Sequence, residues 1–346
     1  TTRYQRDALG RIVKKTQILA ASAAPAPVAA ANTRSISYSY VASGAGAGQL
    51  ASITYPSGGV LGYSYDASGR ISALSWNGTP LVSNLAWTPL GQPSGWTWDL
   101  ITGTPTASRS YTTAGQLATA SQGTSELASY QYDAAGRVRS LRQSTMVPTA
   151  TGSNVVELPI DTTFTYDDVG RITAFAHTPA SAPSLPSGLA VSAITGPTSV
   201  SYSYNPNGNR SQSLYQQQNT SGSTLQQQRN FTVDTQSNRL LRHTRTDTTD
   251  GSPTSSASFS YQYNAAGQLT HTGTDGLALA YDGAGRLSQL APAATPAQAT
   301  TYLHNALGQR VRKLDASKNT IALYGEAEQG MESTPLGLYN SVSATG

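Results

Sequence analysis

The sequence predicts an all-β protein made of tandem β-hairpins joined into a long antiparallel sheet. Three observations lead there. A nine-residue pattern recurs eight times, always with Asp or Asn three residues before a Gly. Tyr outnumbers Phe by 19 to 4, and many of the Tyr residues fall two apart just ahead of that turn. Only 12% of the 346 residues are charged, with Ser, Thr, Gln, Gly and Ala abundant, which does not match a highly charged disordered chain.

In order, the copies are YQRDALGRI from Tyr4, YSYDASGRI from Tyr63, YQYDAAGRV from Tyr130, FTYDDVGRI from Phe164, YSYNPNGNR from Tyr202, YQYNAAGQL from Tyr261, LAYDGAGRL from Leu279 and YLHNALGQR from Tyr302. Each reads as strand, turn, strand. Tyr63 and Tyr65 lie two apart and so point to one face. Asp66 opens a type I turn and accepts hydrogen bonds from N–H groups ahead of it, and Gly69 supplies a positive φ that returns the chain, often with a bulge. Arg70 and Ile71 start the return strand. The same roles fall to Asp7 and Gly10; Asp133, Gly136 and Arg137; Asp167, Gly170 and Arg171; and Asp282, Gly285 and Arg286. Asn takes the first position in Asn205 with Gly208, Asn264 with Gly267, and Asn305 with Gly308. After the turn the alternation is less clean, since Val138 and Leu141 fall out of phase; either both faces are partly covered there or a bulge intervenes.

Weaker copies begin at Tyr40, Trp87, Tyr111 and Val233, with a further partial one at Tyr324. Gly48, Gly69, Gly91, Gly115 and Gly136 are spaced by 21, 22, 24 and 21 residues, the length of one hairpin with its turns. Where the spacing stretches, Ala20–Asn32 and His177–Ser199 read as long loops at the far ends of hairpins, because the same unit resumes on both sides. Residues 1–346 therefore read as one continuous repeat domain, clear over about 4–312 and degenerate over 313–346.

The Y-x-Y-D-x-x-G-R-L pattern resembles the YD or RHS (rearrangement hotspot) repeat of bacterial polymorphic toxins, insecticidal toxin complexes and animal teneurins. The resemblance covers about Tyr4 to Arg312 and implies a sheet that spirals into a shell, a barrel-like wall or an open cocoon, which in the toxins encloses a C-terminal toxic domain. The residues it carries over are structural: Tyr65, Asp66, Gly69 and Arg70 with their counterparts Tyr132, Asp133, Gly136, Arg137 and Tyr166, Asp167, Gly170, Arg171. Two departures stand out. The D-P-x-G-L-type signature that follows the repeats in such toxins is echoed only by Thr334–Leu338, with Thr in place of Asp, and no cargo domain follows within the sequence. The chain reads as a piece of a larger shell, a diverged relative, or a repeat module used in another way.

No Cys is present, so sheet pairing and packing must hold the fold. No apolar run approaches eighteen residues, and the first residues begin inside a repeat without a signal peptide; the lack of Cys suits an exported bacterial protein, secreted or on the cell surface. The net charge of +4 does not point to nucleic acid, because Arg11, Arg70, Arg137, Arg171, Arg210, Arg286 and Arg310 recur one per hairpin, whereas a binding patch needs clustering. Arg310-Val311-Arg312-Lys313, the tightest basic group, reads as the outward face of a strand. His177, His243, His271 and His304 show no metal-ligand spacing, no nucleophile elbow or phosphate loop occurs, and Ser43–Gly48 reads as a Gly-rich turn. Asp167-Asp168 sits in the turn motif. No catalytic, metal or cofactor site is expected.

Trp76, Trp87, Trp96 and Trp98 fall within 23 positions. They read either as a sugar-stacking platform or as a plug or edge cover for the sheet. The leading functional expectation is a non-enzymatic shell or scaffold that encloses or displays another polypeptide, its partners being an enclosed chain or the rest of a larger parent. The alternatives are a glycan-binding adhesin using Tyr and Trp faces, and a fibre subunit that self-associates through sheet edges.

Overall fold

The local chemistry that makes each hairpin is plain at Asp66–Arg70 in this computed structural model, which describes residues 1–21, 31–99, 103–148, 155–179, 198–218, 222–273, 276–331 and 334–340. The Gly69 N–H donates to the Asp66 carbonyl at 2.9 Å and the Asp66 N–H to the Arg70 carbonyl at 2.8 Å. Gly69 has φ +75°. A type I turn closed by a left-handed residue forces one extra residue into the return strand. The register accordingly shifts between Ser64 and Tyr65, pairing Tyr65 with Ile71 but Tyr63 with Leu74.

That bulge explains the phase slip. Tyr132 pairs with Val138 and Tyr130 with Leu141, so two apolar residues three apart share the Tyr face. The same holds for Tyr166 with Ile172 and Phe164 with Phe175, and for Tyr281 with Leu287 and Leu279 with Leu290.

The described residues are all-β, with two short 3₁₀ turns at Pro296–Gln298 and Ala327–Gln329 and no α-helix. The first strands are β1 (Thr2–Arg6), β2 (Ile12–Leu19), β3 (Asn32–Tyr40), β4 (Leu50–Thr54), β5 (Val60–Tyr65), β6 (Ile71–Trp76) and β7 (Thr79–Trp87). Next come β8 (Pro93–Trp98), β9 (Thr106–Tyr111), β10 (Leu117–Gln122), β11 (Ser125–Tyr132), β12 (Val138–Pro148) and β13 (Val155–Tyr166). They continue with β14 (Ile172–Pro179), β15 (Thr198–Tyr204), β16 (Arg210–Gln218), β17 (Thr224–Val233), β18 (Leu240–Thr249) and β19 (Ser252–Tyr263). The last are β20 (Leu269–Thr272), β21 (Leu277–Tyr281), β22 (Leu287–Pro292), β23 (Thr300–His304), β24 (Arg310–Leu314), β25 (Asn319–Tyr324) and β26 (Pro335–Asn340). Each pairs antiparallel with its sequence neighbour, as in β2 with β3, β12 with β13 and β24 with β25.

Both long inserted segments are shorter than expected. Asn32 opens β3, and His177 lies inside β14, which runs on to Pro179 before β15 resumes at Thr198. His177 continues the ladder opposite Thr162, a backbone pairing that composition alone does not reveal. Residues 22–30 and 180–197 lie outside the described residues.

The chain divides into two compact units. The first contains Thr1–Leu85, Thr97–Thr104 and Gln262–Gly346, and holds the core. Ile12, Ile36, Tyr38, Ile53 and Leu323 cluster there, flanked by Tyr40, Leu50, Tyr63, Met331 and Tyr339. Leu19, Val311 and Ile321 form a second cluster against Tyr339. Chain start and chain end thus bury a shared apolar layer.

The second unit contains Ala86–Trp96 and Pro105–Tyr261. Ala107 is its one fully buried hydrophobic residue among the described residues. Its order comes from strand pairing and from cross-strand aromatic contacts instead. Phe175 contacts both Phe164 and Tyr202 at 6.3 Å. His243 stacks on Phe259 at 4.5 Å and 9° and lies 5.8 Å from Phe231.

Candidate functional site

The motif residues build two connections, one within each hairpin and one to the next. Within the hairpin, Asp133 Oδ1 accepts the N–H of Ala135 and of Arg137, both at 2.9 Å, and Oδ2 accepts Arg137 Nε at 2.7 Å. Asp66 with Arg70, Asp167 with Arg171, Asp282 with Arg286 and Asp7 with Arg11 repeat this geometry. The carboxyls of Asp66, Asp133 and Asp282 are held below the usual carboxylate range, chiefly by the N–H of the paired Arg and then by its side chain. The turn glycines Gly10, Gly69, Gly136, Gly170, Gly208, Gly267, Gly285 and Gly308 all have φ between 75° and 86°.

Where Asp becomes Asn, Arg becomes Gln or Asn. Asn264 Nδ2 donates to Gln268 Oε1 and Asn305 Nδ2 to Gln309 Oε1, each at 2.7 Å. Asn205 Oδ1 accepts the Asn209 N–H at 2.9 Å. The charged pair is thus exchanged for a neutral pair of matching reach. Arg210 and Arg310, counted above with the motif Arg, stand one position later and do something else. Their guanidinium groups lie 4.1 Å over Tyr202 and 5.7 Å over Tyr302 of the same hairpin, because the position after Gly is already taken by Asn209 or Gln309.

Between hairpins, six of the tyrosines that stand before a turn donate their hydroxyls to a backbone carbonyl of the preceding hairpin. Tyr65 reaches Leu50 at 2.6 Å, Tyr132 reaches Leu117 at 2.8 Å and Tyr281 reaches Leu269 at 2.8 Å. Tyr40, Tyr166 and Tyr204 reach Ile12, Val138 and Ile172, each at 2.7 Å. These last three rings are also covered by Arg11, Arg137 and Arg171 of the preceding hairpin, at 4.2, 4.5 and 4.6 Å. In four hairpins where Gln follows the turn Gly, its amide reaches forward: Gln49 to the Gly69 carbonyl, Gln92 to Gly115, Gln116 to Gly136 and Gln268 to Gly285. These Gln residues escape a motif search centred on Asp, Gly and Arg, although their recurrence after Gly is visible in the sequence.

In the first unit a buried ion pair joins the first hairpin to the last strands. Lys15 and Glu326 side chains are 2% and 8% exposed and in direct contact. Lys15 Nζ also donates to the Tyr324 carbonyl at 3.1 Å, and the Tyr4 hydroxyl donates to Glu326 Oε2 at 3.2 Å. Burial, and then the Glu326 carboxylate, push the Tyr4 phenol up to about 12. Glu328 accepts from Arg6 Nη1 at 2.6 Å and from the Ile12 N–H at 3.1 Å. Arg312, expected on an outward strand face, is instead 5% exposed and donates to the Ala20 carbonyl at 3.0 Å. Val311, Arg312 and Leu314 are all buried because β24 is covered on both faces here.

Of the four tryptophans, Trp76 and Trp98 belong to the first unit and Trp87 and Trp96 to the second. Trp76 packs 5.5 Å from Tyr55, and Arg109 lies 4.9 Å over Trp96. Both of these rings are engaged within the fold. His177 bonds Thr162 at 2.8 Å and His243 bonds Tyr261 at 2.9 Å. No group of three His, Cys, Asp or Glu among the described residues is placed to hold a metal, and no helix among them is long and apolar enough to cross a membrane.

Residues 46–80, which contain the Asp66–Arg70 hairpin, match the family described as RHS Repeat. Residues 46–80 carry an RHS repeat. The hydrogen-bond set of that segment recurs in the hairpins outside it, so the repeat unit extends beyond the matched residues. Among solved structures, the chain is similar to a Photorhabdus luminescens Tc holotoxin pore (TM-score 0.48, 16% identity, 94% of this chain and 17% of that one). It is also similar to a TcdB2–TccC3 complex lacking the hypervariable C-terminal region (TM-score 0.35, 12% identity, 94% and 20%). A porin-like protein of Bacteroides vulgatus is a third (TM-score 0.29, 10% identity, 55% and 88%). This chain therefore spans about a fifth of the two toxin-complex chains. No curated protein sequence matches it.

Proposed function

We propose that this chain is a length of non-enzymatic wall in an exported bacterial RHS-repeat protein, and that the wall encloses or displays another polypeptide. The observation that carries the reading is the fate of the motif side chains. The motif Asp, Arg and Tyr groups, the polar groups most able to do chemistry, are spent on closing a turn or tying one hairpin to the next. What the repeat produces is a continuous hydrogen-bonded surface with half-exposed aromatic rings, Tyr130, Phe175, Tyr202 and Phe231 among them, on the strands of the second unit. Such a surface suits contact with an unfolded or partly folded chain, whose apolar side chains meet rings and whose backbone meets Ser, Thr and Gln.

The test is protection of a passenger. A flexible reporter rich in Lys and Arg is fused after Gly346, and trypsin digestion of the reporter is followed against the same reporter on an unrelated β-protein of similar size. Slower cleavage of the reporter, with the RHS-repeat chain intact, is expected. Equal cleavage rates on the two carriers would remove enclosure and leave display alone.

A further inference from the structure

One face of β17, β18 and β19, all within the second unit, sets a row of rings beside two arginines. Residues directly opposite in an antiparallel ladder share a face, and residues two apart on one strand return to it. Phe231, His243 and Phe259 therefore form one cross-strand row. His243 and Phe259 stand parallel at 9°, and Phe259 is 37% exposed, so the row offers apolar surface to solvent. Arg229 and Arg245, opposite each other, lie two residues further along on the same face. Ser213 of β16 stands opposite Arg229 and extends that second row.

The charges in the second row do not balance. Like charges directly opposite each other repel, and a single carboxylate answers this pair: Asp247 Oδ2 lies 2.9 Å from Arg245 Nη2. That carboxylate is otherwise engaged, Oδ2 by the Ser255 hydroxyl at 2.6 Å and Oδ1 by the Gln227 amide at 3.1 Å. Arg229 is exposed and has no carboxylate among the described residues, and Arg245 Nε is buried there without a hydrogen-bond partner. His243 feels the excess, its pKa being lowered first by burial and then by Arg229 and Arg245.

We propose that this face binds an extended polypeptide segment with an acidic residue two positions from an aromatic one. The carboxylate sits between Arg229 and Arg245, relieves their repulsion and accepts the Ser213 hydroxyl, while the aromatic ring joins the Phe231–His243–Phe259 row. The spacing selects a polypeptide. The two rows lie two residues apart, about 7 Å, which is the repeat at which an extended segment presents alternate side chains; a sugar acid carries its carboxylate on the ring itself. The inference rests on the proposed function only in taking a polypeptide as the occupant, and enclosure is not required.

The experiment titrates end-blocked peptides into the 346-residue chain and follows the His243 imidazole signals by NMR. The probe is Phe-Ser-Glu-Ser-Phe between Gly-Ser flanks, compared with peptides carrying Gln or Lys for Glu, or Ser for both Phe. The Glu peptide should bind about ten-fold more tightly than the Gln peptide, as a charge-assisted contact requires, with the Lys peptide weakest. Arg229→Gln should abolish the preference for Glu over Gln, while Phe259→Ser should weaken both peptides alike. Should either variant fail to fold, salt provides the second readout on the unaltered chain, because the preference should shrink as ionic strength rises. Equal binding of the Glu and Gln peptides, an undiminished preference in folded Arg229→Gln, or equal binding of the peptide without Phe would overturn the proposal. So would tighter binding of a galacturonate oligomer than of the Glu peptide, which would make an acidic glycan the occupant. These affinities are read without the reporter fusion, so loss of peptide binding and loss of reporter protection are separate outcomes.

Discussion

The guanidinium of Arg137 lies 4.5 Å over the ring of Tyr166, and the Tyr166 hydroxyl donates to the carbonyl of Val138, the residue after that arginine. Asp133 holds Arg137 in place from behind. One hairpin's turn thus orients the cation on which the next hairpin's tyrosine rests. The first prediction follows from the far end of this link. Tyr166→Phe keeps the ring under the guanidinium and removes one hydrogen bond, so urea unfolding should show a loss of about 1 kcal/mol. No change in the midpoint would mean that water serves the Val138 carbonyl equally well.

Gly10 isolates the backbone requirement of the turn. It has φ +80°, and a Cβ placed there would meet no atom within 4 Å. Gly10→Val should therefore cost about 1–3 kcal/mol through φ alone, and Gly10→Asn distinctly less, since Asn tolerates the left-handed region. Equal losses for the two variants, read from thermal melts, would point to a steric cause.

The exchange of Asp–Arg for Asn–Gln within one chain makes a double-mutant cycle informative. Asp282→Asn and Arg286→Gln should each destabilise, while the double variant should recover much of the loss by adopting the bond seen between Asn264 and Gln268. The pH dependence should change as well. The folded-state pKa of Asp282 is lowered from 3.8, so its contribution is present above the unfolded value and is lost as pH falls through the folded value. Acid unfolding below about pH 4 should lose part of its slope in the double variant.

Lys15 and Glu326 test the junction of the two chain ends. Lys15→Met leaves a buried carboxylate without its cation and should cost about 3–5 kcal/mol, whereas Lys15→Met with Glu326→Leu should be far milder. Calorimetry on the three proteins separates a pair retained for strength from one that matters only when half of it is removed.

How much of this was legible in the sequence depends on distance along the chain. The turns at Asp66–Gly69 and their seven strong counterparts could be read because every group they need lies within five residues. The bulge that unites Val138 with Leu141 was one of two readings open from spacing, and the register decides between them. The Asn264–Gln268 exchange was on view as a correlation between two motif positions, but a reading of Asp and Asn as turn caps gave no reason to look for it. The Lys15 cluster could not be read. IVKKTQIL offers two adjacent lysines on opposite faces, and only contact with Tyr324, 309 residues away, distinguishes the buried one. Arg312 was misplaced for the same reason, since its cover comes from Ala20 at the other end of the chain.

The two kinds of tie also differ in how they yield to force. Between Tyr132 and Tyr204 each hydroxyl bond runs to the hairpin just before it, so a pull along the chain loads one such link at a time and the strands peel off in order. Lys15, Arg6 and Tyr4 grip Glu326 and Glu328 side by side, and those bonds share any load that separates the first hairpin from the last strands. The same molecule is therefore a zipper along one stretch and a clasp at another, and the clasp is where it resists longest.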